Sequence, residues 1–300
     1  MTTIVERQDE PDNIKLLAAQ RHTYSQAKRW HNVYAGIAVG LELAAPVILL
    51  LRPDTKLALD SAGAIALVLS IALRQRAGTI IKRGATIQEQ FDVNVFELPW
   101  NRTFVGNRIS PEVIYAADKA FKGDRSKLTG WYADPGDLPH PLDVLICQRS
   151  GLVWDRHLRR SYATLFNVLT VGYCVAGIVL GIVSHQMLAE YLAALLLPSM
   201  PALLEGLTIV REHTKIAAEE ERVSQDILDL WDRGLDNPTL TTTAECRRLQ
   251  DCSFLKRSNA PLVPDLWYWL FRNHHEAEMQ ATMADLRAKA ARRKNTQTIP

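Results

Sequence analysis

The feature that most constrains the fold is the almost uncharged stretch 161–210. Residues 161–183 (SYATLFNVLTVGYCVAGIVLGIV) contain no charged side chain, and a second apolar run covers 187–210 after the polar break 184–186. Each run has roughly the twenty residues with which a helix crosses ~30 Å of hydrocarbon at ~1.5 Å per residue. A helix in a soluble core rarely stays uncharged for so long, so we predict a transmembrane helical hairpin here.

A second pair of apolar runs precedes this hairpin in the chain. Residues 31–51 and 57–73 are separated by the short polar turn 52–56. Both runs are marginal, because the first contains Glu42 and Pro46 and the second is close to the lower length limit for a span. Their arrangement repeats that of 161–210, which favours a transmembrane hairpin over two core helices. We therefore predict four spans, 31–51, 57–73, 161–183 and 187–210.

The basic residues that flank the predicted spans are distributed very unevenly. Cytosolic loops of membrane proteins carry an excess of Lys and Arg. Only Arg52 and Lys56 lie at one end of the spans, whereas eleven basic residues lie at the other: Lys28, Arg29, Arg74, Arg76, Lys82, Arg83, Arg156, Arg159, Arg160, Arg211 and Lys215. This bias predicts a multi-pass protein with both termini in the cytosol.

The segments outside the spans have helical patterns and no convincing strand pattern. Residues 1–30 are predicted to form an N-terminal arm and helix, and 74–160 and 211–300 to form cytosolic helical regions. Ser110-Pro111-Glu112 is typical of a helix start, with Ser as N-cap, Pro at the first helical position and an acid in the first turn. We predict an all-α protein in which these three segments build one cytosolic domain.

Composition excludes several classes of function. The formal net charge is +2, which is too small to indicate a DNA- or RNA-binding protein. The N-terminus lacks the basic and then apolar order of a signal peptide, and the four cysteines fit no common zinc pattern, so we expect free thiols in a reducing compartment. No nucleophile elbow, zinc-protease, Walker A or dinucleotide motif is present. We therefore predict no enzyme activity, no catalytic residues, no metal site and no cofactor.

Several motifs outside the predicted spans carry a resemblance to a known family. They are QFDVNVFELPWN (90–101), LTGWYADP (128–135), ICQRSGLVWDRHLRRSY (146–162) and RRLQDCSFLKRSNAPLVPDLWYWLFR (247–272). Together with the two hairpins, this order resembles the SMODS-associating four-transmembrane effector family of bacterial antiphage systems. The resemblance covers nearly the whole chain.

The resemblance implies an effector of a cyclic-oligonucleotide signalling system. In such systems a partner nucleotidyltransferase makes a cyclic nucleotide on infection. The effector binds this nucleotide and permeabilises the inner membrane, which kills the infected cell. The expectations are therefore a pore-forming homo-oligomer in the lipid bilayer and a cyclic oligonucleotide as its activating ligand.

A cyclic nucleotide needs cations for its phosphates and flat groups that stack on its bases. The cytosolic segments offer both kinds of side chain. An alternative interpretation is that tryptophans at helical spacing, such as Trp154, belong to the core, and that basic residues beside the spans anchor the protein at the membrane. The candidate ligand-binding residues are Trp131, Tyr132, Arg149, Trp154, Arg248 and Arg257.

Three residues inside the predicted spans are candidates for a pore or a gate. A charge in hydrocarbon costs about 2.5–3.5 kcal/mol on insertion scales, so Glu42 and Glu205 are expected to face protein or water. They line a pore in one interpretation and form hydrogen bonds between helices in the other. Pro198 frees a backbone carbonyl in the fourth span and marks either a hinge or a packing kink.

Two other classes of function compete with a pore. The first is a regulatory or scaffolding multi-pass protein without a pore. The second is a transporter, which the sequence disfavours because no matched pair of broken helices is present. Four helices alone pack around a core filled with side chains, so a pore requires a homo-oligomer.

The charge bias makes a direct prediction about topology. A reporter that is active only in the periplasm should give a signal when it is fused after Lys56 and none when it is fused after Pro300. The reverse pattern would contradict the orientation and the cytosolic placement of the three polar segments.

Overall fold

The computed structural model describes the backbone of residues 2–183, 187, 196–237 and 241–297. Inside these ranges, some helical or turn positions are described by their backbone only: 34, 35, 38, 39, 41–47, 49–51, 53, 180, 198, 201, 273, 274, 296 and 297.

The regular structure of the described residues is helical, and no strand occurs among them. This confirms the predicted all-α class. The helices are α1 (Ile4–Gln8), α2 (Pro11–Leu51), α3 (Lys56–Phe96), α4 (Arg102–Val105), α5 (Pro111–Ala120), α6 (Leu142–Val183), α7 (Leu197–Asp236), α8 (Thr243–Asn259) and α9 (Asp265–Gln297), with short 3-10 turns at Pro53–Thr55 and Arg125–Leu128.

Two helices have well-defined starts. Helix α5 begins, as predicted, with Ser110 as N-cap and Pro111 as its first residue, but the Ser110 side chain makes no capping hydrogen bond. Helix α8 begins with a capping box, in which the Thr242 side chain accepts from the Glu245 backbone N–H and the Glu245 carboxylate accepts from that of Thr242. Helix α6 runs without interruption through Ser150 and Gly151.

The chain divides into two compact units. Unit A contains residues 1–26, 79–158 and 216–300, and unit B contains residues 27–78 and 159–215. The residue ranges of unit B nearly coincide with those of the predicted transmembrane hairpins, 31–73 and 161–210. Each boundary between the units falls inside one of the helices α2, α3, α6 and α7.

Two of the described helices are long and apolar enough to cross a membrane. They are α3 and α6, which carry the second and third predicted spans, and only 6% of the most apolar window of each is buried. Much of the first predicted span is described by its backbone only, and the fourth includes residues 188–195, which lie outside the described ranges, so the four-span topology remains a prediction. Apolar side chains on α3 and α6, such as Leu67, Val68 and Ile182, are largely exposed and need an apolar surrounding.

Within unit B, helices α6 and α7 approach closely. A Cβ atom added to Gly206 would lie 2.7 Å from the Thr170 hydroxyl, so only glycine fits at this contact without a shift. The Tyr173 hydroxyl donates to the Ser199 hydroxyl at 2.7 Å. Small residues and hydroxyl pairs are the usual means by which helices associate in lipid, where the hydrophobic effect between them is absent.

Unit A has its own hydrophobic core. Side chains from the N-terminal segment, α3, the turn Arg125–Leu128, the start of α6 and the C-terminal part of α7 are fully or almost fully buried. The largest of them are Ile4, Leu17, Ile87, Phe91, Phe96, Leu128, Leu145, Ile146, Ile227 and Trp231. Phe91 and Phe96 both pack against the ring of Tyr132, at centroid distances of 6.2 and 4.9 Å.

A polar network lies inside unit A, between α3 and α8. Glu89 and Asp92 are both 0% exposed and lie three residues apart, on one face of α3. Arg247 pairs with Glu89 and with Asp251, and Arg257 pairs with Asp92. Gln250 donates to both buried carboxylates, at 2.9 and 2.8 Å.

The network extends to two further segments. The Tyr132 hydroxyl donates to Asp92 at 2.7 Å, and the Gln148 amide on α6 donates to the Gln250 side chain at 3.0 Å. Burial, together with the nearby Asp92, raises the pKa of Glu89 and also raises that of Tyr132 well above its ordinary value. The phenol therefore stays protonated and acts as a donor to the Asp92 carboxylate.

The network predicts that Arg247 stabilises the fold. Arg247→Ala should lower the free energy of unfolding by roughly 3–5 kcal/mol, because it leaves the buried Glu89 carboxylate without its cation. Arg248→Ala is the matched control, since Arg248 is the adjacent residue and its side chain is exposed. This substitution should change the free energy of unfolding by no more than about 0.5 kcal/mol. Thermal and urea unfolding of purified protein in detergent measure both. Equal stability of the two variants would contradict a stabilising role.

Candidate functional site

A narrow cleft lies between α6 and α9 in unit A. Its room for solvent is only about 20 Å³, which is enough for about one water molecule. Small-molecule sites usually offer about 300–1,000 Å³, so a nucleotide cannot enter this cleft as it stands. The lining residues are Ile146, Arg149, Ser150, Val153, Trp154 and His157 from α6 and His275, Glu278, Met279, Thr282, Met283 and Leu286 from α9.

Two polar features lie along the cleft. His157 and Glu278 join the two helices through a 2.9 Å contact between the imidazole Nδ1 and the carboxylate. The buried Nε of Arg149 has no hydrogen-bond partner among the described residues. Burial is the main cause that lowers the pKa of Arg149, and the positive charge of Arg156 lowers it further. The guanidinium is therefore a cation in an unfavourable environment, and an anion beside it would be stabilised.

One end of the cleft leads to a cluster of aromatic rings and cations. The Trp154 ring lies 6.1 Å from that of Tyr268, and the Tyr268 hydroxyl accepts from Arg21 at 3.0 Å. The Arg21 guanidinium also lies over the rings of Trp131 and Trp269. We call Arg21, Lys127, Trp131, Tyr268, Trp269 and Arg272 the Arg21 cluster.

The six predicted ligand-binding residues fall into three groups. Trp131 belongs to the Arg21 cluster, and Arg149 and Trp154 line the adjoining cleft. Tyr132 and Arg257 instead belong to the buried network, where both are bonded to Asp92. Arg248 is exposed on α8. The structure thus brings Trp131, Arg149 and Trp154 into one region, and none of the six assignments to a ligand has been tested.

The geometry also decides what a substitution of Arg257 can show about a ligand. The side chain is held by a fully buried carboxylate, so Arg257→Ala is expected to lower stability whether or not Arg257 meets a ligand. Loss of ligand binding in that variant alone would not identify the site.

Sequence reasoning missed five of the six members of the Arg21 cluster as ligand-binding candidates, namely Arg21, Lys127, Tyr268, Trp269 and Arg272. Tyr268 and Trp269 stand in the WYW run, and Lys127 directly precedes the LTGWYADP motif. The clustering of aromatic residues in these motifs was a usable signal. The contact with Arg21 was not predictable, because it joins residues 247 positions apart.

The candidate gate residues lie in unit B. The Glu205 carboxylate on α7 lies 3.6 Å from the Arg74 guanidinium on α3, and Glu205 is about one third exposed. The side chains of Glu42 and Pro198 lie outside the described set. Pro198 is the second residue of α7 as described, and residues 188–195 before it lie outside the description as well. The proposals of a pore and of a kink remain predictions.

Two comparisons with known proteins agree with each other. The family model of the SMODS-associating 4TM effector domain matches residues 2–286. A protein of Bacillus cereus (strain VD146), described as a probable CBASS effector molecule, is 31% identical over 283 residues, which cover 92% of this chain and 95% of that protein. No solved structure matches the chain significantly. The chain belongs to the SMODS-associating 4TM effector family.

Proposed function

We propose that this protein is a pore-forming, membrane-disrupting effector of antiphage defence in the bacterial inner membrane, opened by a cyclic oligonucleotide that binds its unit A. Family membership and the relative's description support the role of a CBASS effector. A partner nucleotidyltransferase supplies the ligand in this proposal. The protein's own action is mechanical, and no catalytic step is assigned to it.

The observation that carries the membrane part of the proposal is the exposed apolar surface of α3 and α6. Their most apolar windows are almost entirely unburied, although a soluble protein would cover such surfaces. Hydrocarbon is a favourable surrounding for this surface, because the backbone N–H and C=O groups of a helix are already hydrogen-bonded to each other and need no water. A single chain contributes too few helices to enclose water, so the pore in this proposal is built by several copies.

The proposal also needs a connection between ligand and pore. Helices α2, α3, α6 and α7 each contribute residues to both units. A change in the packing of these helices within unit A therefore continues along the same helices into the spans. The ligand can drive this change only to the extent that it binds the open arrangement more tightly than the closed one.

Ligand-dependent leakage is the first test of this proposal. Liposomes that contain the purified protein and a self-quenched dye should release the dye when a cyclic oligonucleotide is added. Linear mononucleotides serve as the control ligands. A panel of cyclic di- and trinucleotides that causes no leakage would contradict gating by this class of ligand and would favour the scaffolding alternative.

The second test concerns Glu205. Glu205→Gln keeps the shape of the side chain but removes the negative charge that faces Arg74, so an open pore should lose part of its preference for cations over anions. Glu212→Gln is the matched control, because Glu212 is exposed on the same helix and outside the predicted span. The reversal potential across a planar bilayer under a KCl gradient measures the preference. Equal potentials in the parent protein and both variants would place Glu205 outside the pore lining.

A further inference from the structure

The Arg21 guanidinium has unusual surroundings for a partly buried cation. Its Cζ atom lies 5.4 Å from the ring centroids of both Trp131 and Tyr268 and 5.7 Å from that of Trp269. Its buried Nε has no hydrogen-bond partner, and no carboxylate pairs with Arg21 in the part of the chain that the structure describes. Aromatic faces attract a cation but do not neutralise it, so the charge of Arg21 remains uncompensated.

Two further cations lie around the Trp269 ring. The Lys127 ammonium is 5.1 Å and the Arg272 guanidinium 5.2 Å from its centroid. Arg272 shares its charge with Glu276, at 3.3 Å, whereas no ion pair involves Lys127 among the described residues. Three cations therefore lie within 6 Å of the centroid of one indole ring, and only Arg272 among them is paired with a carboxylate in the described part of the chain. The local excess of positive charge favours an anion.

The aromatic side of the cluster is open to a ligand. Trp269 is 46% exposed, and Lys127 beside it is exposed as well. Nucleobases stack on exposed indole and phenol rings, and Arg and Lys meet phosphates through charge-assisted hydrogen bonds. A ligand that carries both phosphates and flat bases would satisfy the uncompensated cations and the open ring at the same time. Simple anions would satisfy only the cations.

We propose that the Arg21 cluster is the nucleotide-binding site of unit A, where Arg21 and Lys127 bind a phosphate and Trp269 stacks on a base. This assignment rests on the proposed function, since it identifies the site of the same ligand. One side of the cluster is exposed to solvent, whereas the α6–α9 cleft is too narrow to admit a nucleotide. The Tyr268–Trp154 contact connects the cluster to that cleft, so a ligand bound at the cluster alters the packing between α6 and α9.

The test uses the full chain in detergent and three probes, cyclic di-AMP, cyclic GMP–AMP and cyclic tri-AMP. Isothermal calorimetry measures affinity, and tryptophan fluorescence reports stacking. Arg21→Ala and Lys127→Glu should each weaken binding by about ten- to hundredfold, which is the usual effect of losing a charge-assisted phosphate contact. Trp269→Leu should reduce the ligand-induced quenching and also weaken binding.

Arg108→Ala is the matched control. Arg108 lies over another tryptophan of unit A, at 4.7 Å from the Trp100 ring, but it is a single exposed cation with one ring. Its removal should change the affinity by less than about twofold, because it removes a cation–aromatic contact without a binding site. Inorganic pyrophosphate should bind the parent protein far more weakly than the cyclic nucleotide does, since it has no base to stack.

The outcomes separate this site from the proposed function. If the parent protein binds a probe and Arg21→Ala and Lys127→Glu bind it equally well, the site assignment is wrong and gating by a nucleotide stands. If the parent protein binds none of the probes, both the assignment and the gating proposal are overturned. Lys127→Glu keeps the test independent of folding, because Lys127 is exposed, and a thermal melt checks that each variant has the stability of the parent protein.

Discussion

The pairing of two buried carboxylates on α3 with the cations and amide of α8 is the constraint on which unit A depends. Glu89 and Asp92 have no access to solvent, and each would be strongly destabilising without a partner. Arg247, Gln250 and Arg257 supply these partners at spacings that fit one side of α8. Because hydrogen bonds and ion pairs are directional, they fix the register between the two helices more strictly than apolar packing does.

The same network explains why α8 buries polar residues. Arg247 and Gln250 are almost inaccessible, although the helix has few apolar residues to bury beside them. Tyr132 and Gln148 connect the loop before α6 and the start of α6 to this centre. Motifs that are far apart in sequence, QFDVNVFELPWN and RRLQDCSFLKR among them, are thereby brought together. Their buried members stabilise the fold, whereas the ligand proposal draws on the exposed Lys127, which directly precedes the LTGWYADP motif, and on the exposed Trp269 of the WYW run.

Unit B follows a different physical rule. Its helices expose apolar side chains and associate through small residues and hydroxyl groups, as at Gly206 and Tyr173. The Arg74–Glu205 contact adds a charged pair between α3 and α7. In a membrane such a pair is favourable only where protein or water surrounds it, which is why Glu205 remains a candidate for the pore lining.

The sequence by itself determined the helical class, the positions of the two long apolar helices α3 and α6, and the family. These follow from local properties, namely the length of uncharged runs, the helix start at Ser110 and Pro111, and ordered motifs. It also predicted Trp131, Arg149 and Trp154 as ligand-binding residues, because cations and aromatic rings in one motif are typical of a nucleotide site, and this assignment stays a prediction. Only the tertiary structure decided that Tyr132 and Arg257 meet the buried Asp92, whereas Arg21 meets three aromatic rings and, among the described residues, no carboxylate. The sequence alone does not distinguish these two surroundings of an arginine. Whether the charge of the arginine is compensated depends on residues that are distant in the chain and become neighbours only when the helices pack.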